Sequence, residues 1–144
     1  RLFRSAYFEA KYDFILMDCK PSLDLLVINA LAASDQLIIP VEPEEFAVVG
    51  LTDLYQTLDR IRETFNEGLE INGILITRAN MARKATKEAT QQLRDACGDT
   101  VYQTVIPNLA DAAKALERKR SMVNCSDLRL GGLYMEAARE VLKK

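Results

Sequence analysis

Apolar and polar positions along the chain follow two rhythms that alternate. Phe14 to Asp18 reads F-I-L-M-D, a short apolar run without alternation that ends on an acid, the pattern of a strand buried on both faces of a parallel sheet. After Pro21 and Ser22, a helix over Leu23 to Ala33 carries Leu26, Ala30 and Ala33 on one stripe, and Gln36 to Val41 (Q-L-I-I-P-V) is a second buried strand. From Val48 to Phe65, Leu51, Leu54, Tyr55, Leu58, Ile61 and Phe65 recur at three- and four-residue steps, with Asp53, Asp59, Arg60, Arg62 and Glu63 on the other side, which predicts an amphipathic helix. Ile71 to Thr77 is the third strand, and a helix over Thr86 to Cys97 stops at Gly98. Val101 to Ile106 makes a fourth strand closed by Pro107, followed by helices over Ala110 to Arg120 and Leu133 to Lys143. Strands alternating with helices through short loops predict one α/β domain over residues 1–144, an open, mostly parallel sheet of about four strands with helices on both faces.

Composition narrows the chemistry. The 144 residues, 49% hydrophobic and 28% charged, have the balance of a folded protein rather than a disordered one. A net charge of −2 gives no global field toward nucleic acid or anionic lipid, so any such binding is local. The chain has no histidine, which removes Ser-His-Asp and Cys-His nucleophile systems and every His-containing zinc site. Cys19, Cys97 and Cys125 are far apart and form no C-x-x-C pair, so the expectation is a reducing cytoplasm without a disulfide framework. No apolar run approaches the ~18 residues a membrane-spanning helix needs. The chain starts at Arg1 rather than Met, which leads to the expectation that sequence upstream has been removed or left out.

In open α/β sheets ligands bind beyond the carboxyl ends of the strands. Four places qualify: Asp18, Pro40 to Glu45, Thr77 to Lys84, and Pro107 to Asp111. An acid ending a buried strand is the pattern of a Walker B carboxylate, which fixes the water shell of a nucleotide-bound Mg²⁺; an Asp at that place also reads as the cap of the next helix.

The stretch Y-D-F-I-L-M-D-C-K-P-S-L-D-L-L-V-I-N-A-L-A-A-S-D-Q-L-I-I-P-V, Tyr12 to Val41, resembles the second half of the ParA/Soj partition ATPases, deviant-Walker relatives of MinD. Glu44, Phe46, Ala47, Gly50 and Leu51 are similar to a further element of that family, and V-Y-Q-T-V-I-P, Val101 to Pro107, to the strand and proline before its adenine-side loop. The resemblance implies a P-loop NTPase-like fold without its N-terminal P-loop part. It implies ATP or ADP with Mg²⁺ as cofactors, Asp18 as the catalytic acid holding Mg²⁺ through water, and Cys19, Lys20 and Pro21 beside the γ-phosphate. Thr77 would face the base, and Pro107 would open the loop that contacts it. Each also reads as a plain strand end.

Two departures stand out. Lys20 occupies the place of the family's first proline after the acid, and no glycine is followed by lysine, so the 144 residues contain no G-K-[ST] phosphate cradle. The chain by itself is therefore expected not to hydrolyse ATP and to bind no nucleotide. The resemblance further implies a homodimer in the ATP state, a ParB-like adaptor protein as partner, nonspecific DNA binding in segregation of plasmid or chromosomal DNA, a cytoplasmic or nucleoid-associated location, and no membrane partner. Arg78, Arg83 and Lys84, with Lys87 nearby, form one basic cluster able to contact phosphates, and Lys114 to Arg120 another; solvated helix faces are the alternative. Two other readings stay open: a nonenzymatic remnant that kept a partner-binding surface, and a MinD-like membrane-cycling ATPase.

Overall fold

A computed structural model describes residues 11–20, 22 and 24–143. Among the described residues, eight α-helices and β-strands follow one another: α1 (Leu25–Ala33), β1 (Gln36–Val41), α2 (Ala47–Thr64), β2 (Glu70–Ala79), α3 (Lys84–Cys97), β3 (Val101–Pro107), α4 (Asp111–Glu117) and α5 (Arg129–Val141). The chain divides into two compact units, one of the described residues up to Leu37 with Asp53–Glu70, the other of Ile38–Thr52 with Ile71 onward.

In the first unit Asp24 caps α1, its Oδ1 accepting the N–H groups of Leu26 and Val27 at 3.0 and 3.1 Å. Val27 and Leu31 turn inward, whereas Leu26, expected on the inner stripe, is 67% exposed. The Asn66 amide donates to the carbonyls of Leu31 and Ser34, which ties the end of α1 to the turn after α2. Phe65 is exposed because α2 ends at Thr64, so the ring falls past the buried face formed in this unit by Leu58 and Ile61. Phe14 to Asp18 belongs to no strand, and Phe14 and Leu16 are exposed. The expected four strands are therefore three among the described residues: an extended run becomes a strand only when a neighbour takes its N–H and C=O groups, and no described segment does so here.

The second unit is built on the parallel sheet, ordered β1-β2-β3. Asn72, Gly73 and Ile74 are consecutive and buried, so both faces of β2 are covered, as expected of a parallel α/β sheet. Two irregularities shape β2 and β3. Ile74 and Ile76 face Val101 and Val105, so β3 carries extra residues there, and the N–H groups of Gln103 and Thr104 turn to the Glu140 carboxylate of α5 at 2.7 and 2.8 Å. Further on, Ile76 to Ala79 faces the shorter Val105 to Pro107, so β2 bulges around Thr77 and Arg78, and Arg78 takes the left-handed conformation with φ 52°. Gly98 closes α3 with φ 53°, as its place in the sequence predicts. The next helix stops at Glu117, short of the expected Arg120, and Lys119 is left-handed (φ 51°). The last helix starts at Arg129 rather than Leu133, since the buried Asp111 carboxylate accepts the Leu130 N–H at 3.1 Å.

Candidate functional site

The three strands of the second unit end together, and their carboxyl ends open onto a cleft of about 720 Å³. From the end of β1 come Glu42 to Phe46, from the end of β2 Arg78 and Asn80, and from beyond β3 Asn108. The remaining wall is the first turns of α3, from Arg83 to Gln92. Pairing fixes these ends relative to one another. The Asn108 N–H donates to the Ala79 carbonyl at 3.2 Å, and the Thr77 hydroxyl reaches the Val41 carbonyl at 3.5 Å.

The bulge at Thr77 and Arg78 directs the Arg78 side chain toward β1, where its Nε lies 3.2 Å from Glu42 Oε1. Both groups are exposed, so the pair contributes little stability, ~0.2–1 kcal/mol. A left-handed arginine also costs backbone energy, on the order of 1–3 kcal/mol, a kind of strain that collects at ligand sites. Asn80 folds the next turn: its Oδ1 accepts the Ala82 N–H at 3.2 Å and its carbonyl the Arg83 N–H at 3.0 Å. Arg83 then holds the N-cap position of α3 without a capping side-chain bond. Lys84 turns along the helix to Glu88, 3.5 Å away.

Of the residues singled out in the sequence, Arg78 and Arg83 line this cleft; Thr77, Pro107 and Lys84 adjoin its wall in the chain. Asp18, Cys19 and Lys20 belong to the first unit, where all three are exposed. Lys20 Nζ donates to Asp24 Oδ2 at 2.9 Å, and that ammonium, followed by the Val27 N–H, holds the Asp24 carboxyl below the usual carboxylate range. Pro21 lies outside the described residues. Among the described residues no group of three His, Cys, Asp or Glu side chains is placed to hold a metal ion. One exposed carboxylate at Asp18 and no phosphate-cradling loop do not build a Mg²⁺ or triphosphate site from these residues alone. No helix of the described residues is long and apolar enough to cross a membrane.

Sequence reading did not single out the Glu42 partnership or Thr86. The first had a faint signal in the acid directly following Q-L-I-I-P-V, the second in a helix start, R-K-A-T, without a capping Ser, Thr, Asp or Asn in front of it.

A family model described as an AAA domain matches residues 5–71. The chain is 34% identical over 135 residues to the chromosome partitioning protein ParA of Caulobacter vibrioides, covering 92% of this chain and 50% of that protein. It is 36% identical over 135 residues to the chromosome-partitioning ATPase Soj of Treponema pallidum (92% and 53% covered) and likewise 36% to the sporulation initiation inhibitor protein Soj of Bacillus subtilis (90% and 52%). Among solved structures it is similar to cobyrinic acid a,c-diamide synthase from Mycobacterium smegmatis with a bound ATP analog and magnesium, at a TM-score of 0.57 and 26% identity over 70% of this chain and 45% of that one. The same enzyme with ADP and magnesium gives a TM-score of 0.56. The chain spans about half the length of the curated relatives it matches, and these matches support a ParA/Soj-type partitioning ATPase fragment.

Proposed function

We propose that these residues serve a partition ATPase that segregates plasmid or chromosomal DNA in the cytoplasm, dimerising with ATP, meeting a ParB-like adaptor and binding DNA nonspecifically. The observation that carries this reading is the cleft at the carboxyl ends of three parallel strands, the place where open α/β sheets take ligands. The names of the partitioning relatives and the nucleotide and magnesium held by the similar synthase support it.

In this reading Thr77 and Pro107 stand on the base side, Cys19, Lys20 and Pro21 on the phosphate side, and Asp18 acts on the water shell of Mg²⁺. Bound Mg²⁺ would supply neutralisation of phosphate charge. The protein's own part is to orient: β2 and β3 hold their ends in fixed register, and the bulge sets Arg78 at the rim. No G-K-[ST] loop occurs in the 144 residues, so nucleotide binding depends on a loop supplied by further sequence.

Calorimetry tests this. The 144-residue chain should give no heat with Mg-ATP, whereas a longer natural chain that includes such a loop should bind it and turn it over. In the longer chain Asp18→Ala should stay folded and lose Mg²⁺-dependent hydrolysis. Undiminished turnover would remove Asp18 from the site.

A further inference from the structure

Strand β3 stands last in the sheet order β1-β2-β3, so among the described residues no strand pairs along its far edge. An edge of this kind is a template on which a further strand can pair. The sequence makes it a good template: Val101 to Ile106 reads V-Y-Q-T-V-I, rich in strand-forming residues, with no charge, no glycine and no proline before Pro107. A charged strand would repel a copy of itself, and this one carries nothing that does so.

Two charged side chains from two different helices meet the middle of this strand. Between Val101 and Val105, where β3 carries extra residues relative to Ile74 and Ile76, the Glu140 carboxylate near the end of α5 spans two successive N–H groups. Its Oε2 accepts from Gln103 at 2.7 Å and its Oε1 from Thr104 at 2.8 Å. Successive N–H groups of a regular strand point to opposite sides, so the bulge is what brings both round to one carboxylate. From the last turn of α3, the Arg94 guanidinium donates to the Gln103 carbonyl at 3.2 Å. Both backbone groups of Gln103, whose side chain is exposed, are therefore taken by ions. A strand arriving at this place would offer neutral carbonyl and N–H groups instead, and hydrogen bonds to ions are roughly twice as strong as neutral ones.

We infer that Glu140 and Arg94 guard the β3 edge, and that the occupant they exclude is β3 of a second copy of this chain, pairing edge to edge about a two-fold axis. The uncharged strand suits a copy of itself, since an isologous contact brings each residue type against the same surface on the partner. The guard sits in the bulge because that is where the strand leaves its register with β2 and its backbone groups are turned for other partners. This contact involves neither nucleotide nor DNA, so it is separate from the dimerisation with ATP that belongs to the partition reading.

Sedimentation of the 144-residue chain and of Glu140→Gln, which keeps the side chain's size and removes its charge, tests the guard together with amide hydrogen exchange. In Glu140→Gln the Gln103 and Thr104 amides should exchange faster, and the self-association constant should rise roughly tenfold over that of the unaltered chain, the scale of one to two net hydrogen bonds. Arg94→Ala, a change on an exposed part of α3, should shift association in the same direction by less. Adding Gln103→Lys to Glu140→Gln places a charge on the pairing edge and should return association to the level of the unaltered chain. Faster exchange at both amides with unchanged association would overturn the inference, as would amides that do not respond to Glu140→Gln. A rise in association that survives Gln103→Lys would place the contact on another surface and overturn it as well.

Discussion

Gly73 on β2 lies so close against the ring of Tyr102 on β3 that a methyl group on Gly73 would overlap the ring carbons. Tyr102 is 1% exposed and donates its hydroxyl to Asn72 Oδ1, so the ring can move neither outward nor sideways without breaking a buried hydrogen bond. Gly73→Ala is therefore expected to destabilise by ~1–3 kcal/mol or more. Gly50, within α2 and with nothing inside 4 Å of an added Cβ, should respond in the opposite sense, gaining ~0.5–1 kcal/mol as Ala. Urea unfolding of the two variants measures both, and equal effects would contradict the packing described.

Burial, and then the negative charge of Glu140, push the Tyr102 hydroxyl up from 10 to about 12. A raised folded-state value means that the unfolded chain ionises first. The stabilising contribution is whole below about pH 10 and is lost as pH rises toward about 12, amounting to roughly 2–3 kcal/mol. Tyr102→Phe should flatten the alkaline limb of a stability-against-pH curve, and an unchanged limb would place the effect elsewhere.

Asp111 starts α4 and, through its carboxylate, caps α5 at Leu130. Because Asp111 is buried, Asp111→Ala leaves the Leu130 N–H without its acceptor and should cost ~1–3 kcal/mol. The loss should appear in hydrogen exchange as early opening of α5 before α3; simultaneous opening would argue against the cap.

If DNA is bound through the basic residues at the start of α3, replacing Arg83 and Lys84 with Ala should weaken binding uniformly across sequences. The salt dependence should flatten by about one to two units of slope. Filter binding over a range of salt concentrations reads both, and a sequence-dependent loss would mean base contacts instead.

Among the described residues β1 is an edge strand, and Phe14, Leu16, Leu25 and Leu26 present apolar side chains to solvent. The 144-residue chain should therefore self-associate, with a scattering mass that rises with concentration. A monomer over the full concentration range would show that these surfaces are tolerated alone.

The order and kind of most elements were already legible in the residues. Hydrophobic steps of three and four make α2 a helix whatever packs against it, and the apolar run Leu37 to Val41 of β1, with the mostly apolar stretches of β2 and β3 broken by single or paired polar residues, suits strands of a sheet. Gly98 is a local stop for the same reason, since one residue's backbone freedom decides it. The gathering of Arg78 and Arg83 at one cleft could be anticipated only as far as strand ends converge in such sheets. Partnerships between distant segments were a different matter. F-I-L-M-D has the composition of a strand, but pairing requires a neighbour, and none of the described residues provides it. The start of α5 depends on a carboxylate 19 residues earlier, and the bulge that turns Arg78 onto Glu42 depends on how β2 registers with β3. Periodicity records which face of an element is apolar; it holds no information about which polar groups meet when elements far apart in the chain close on one another.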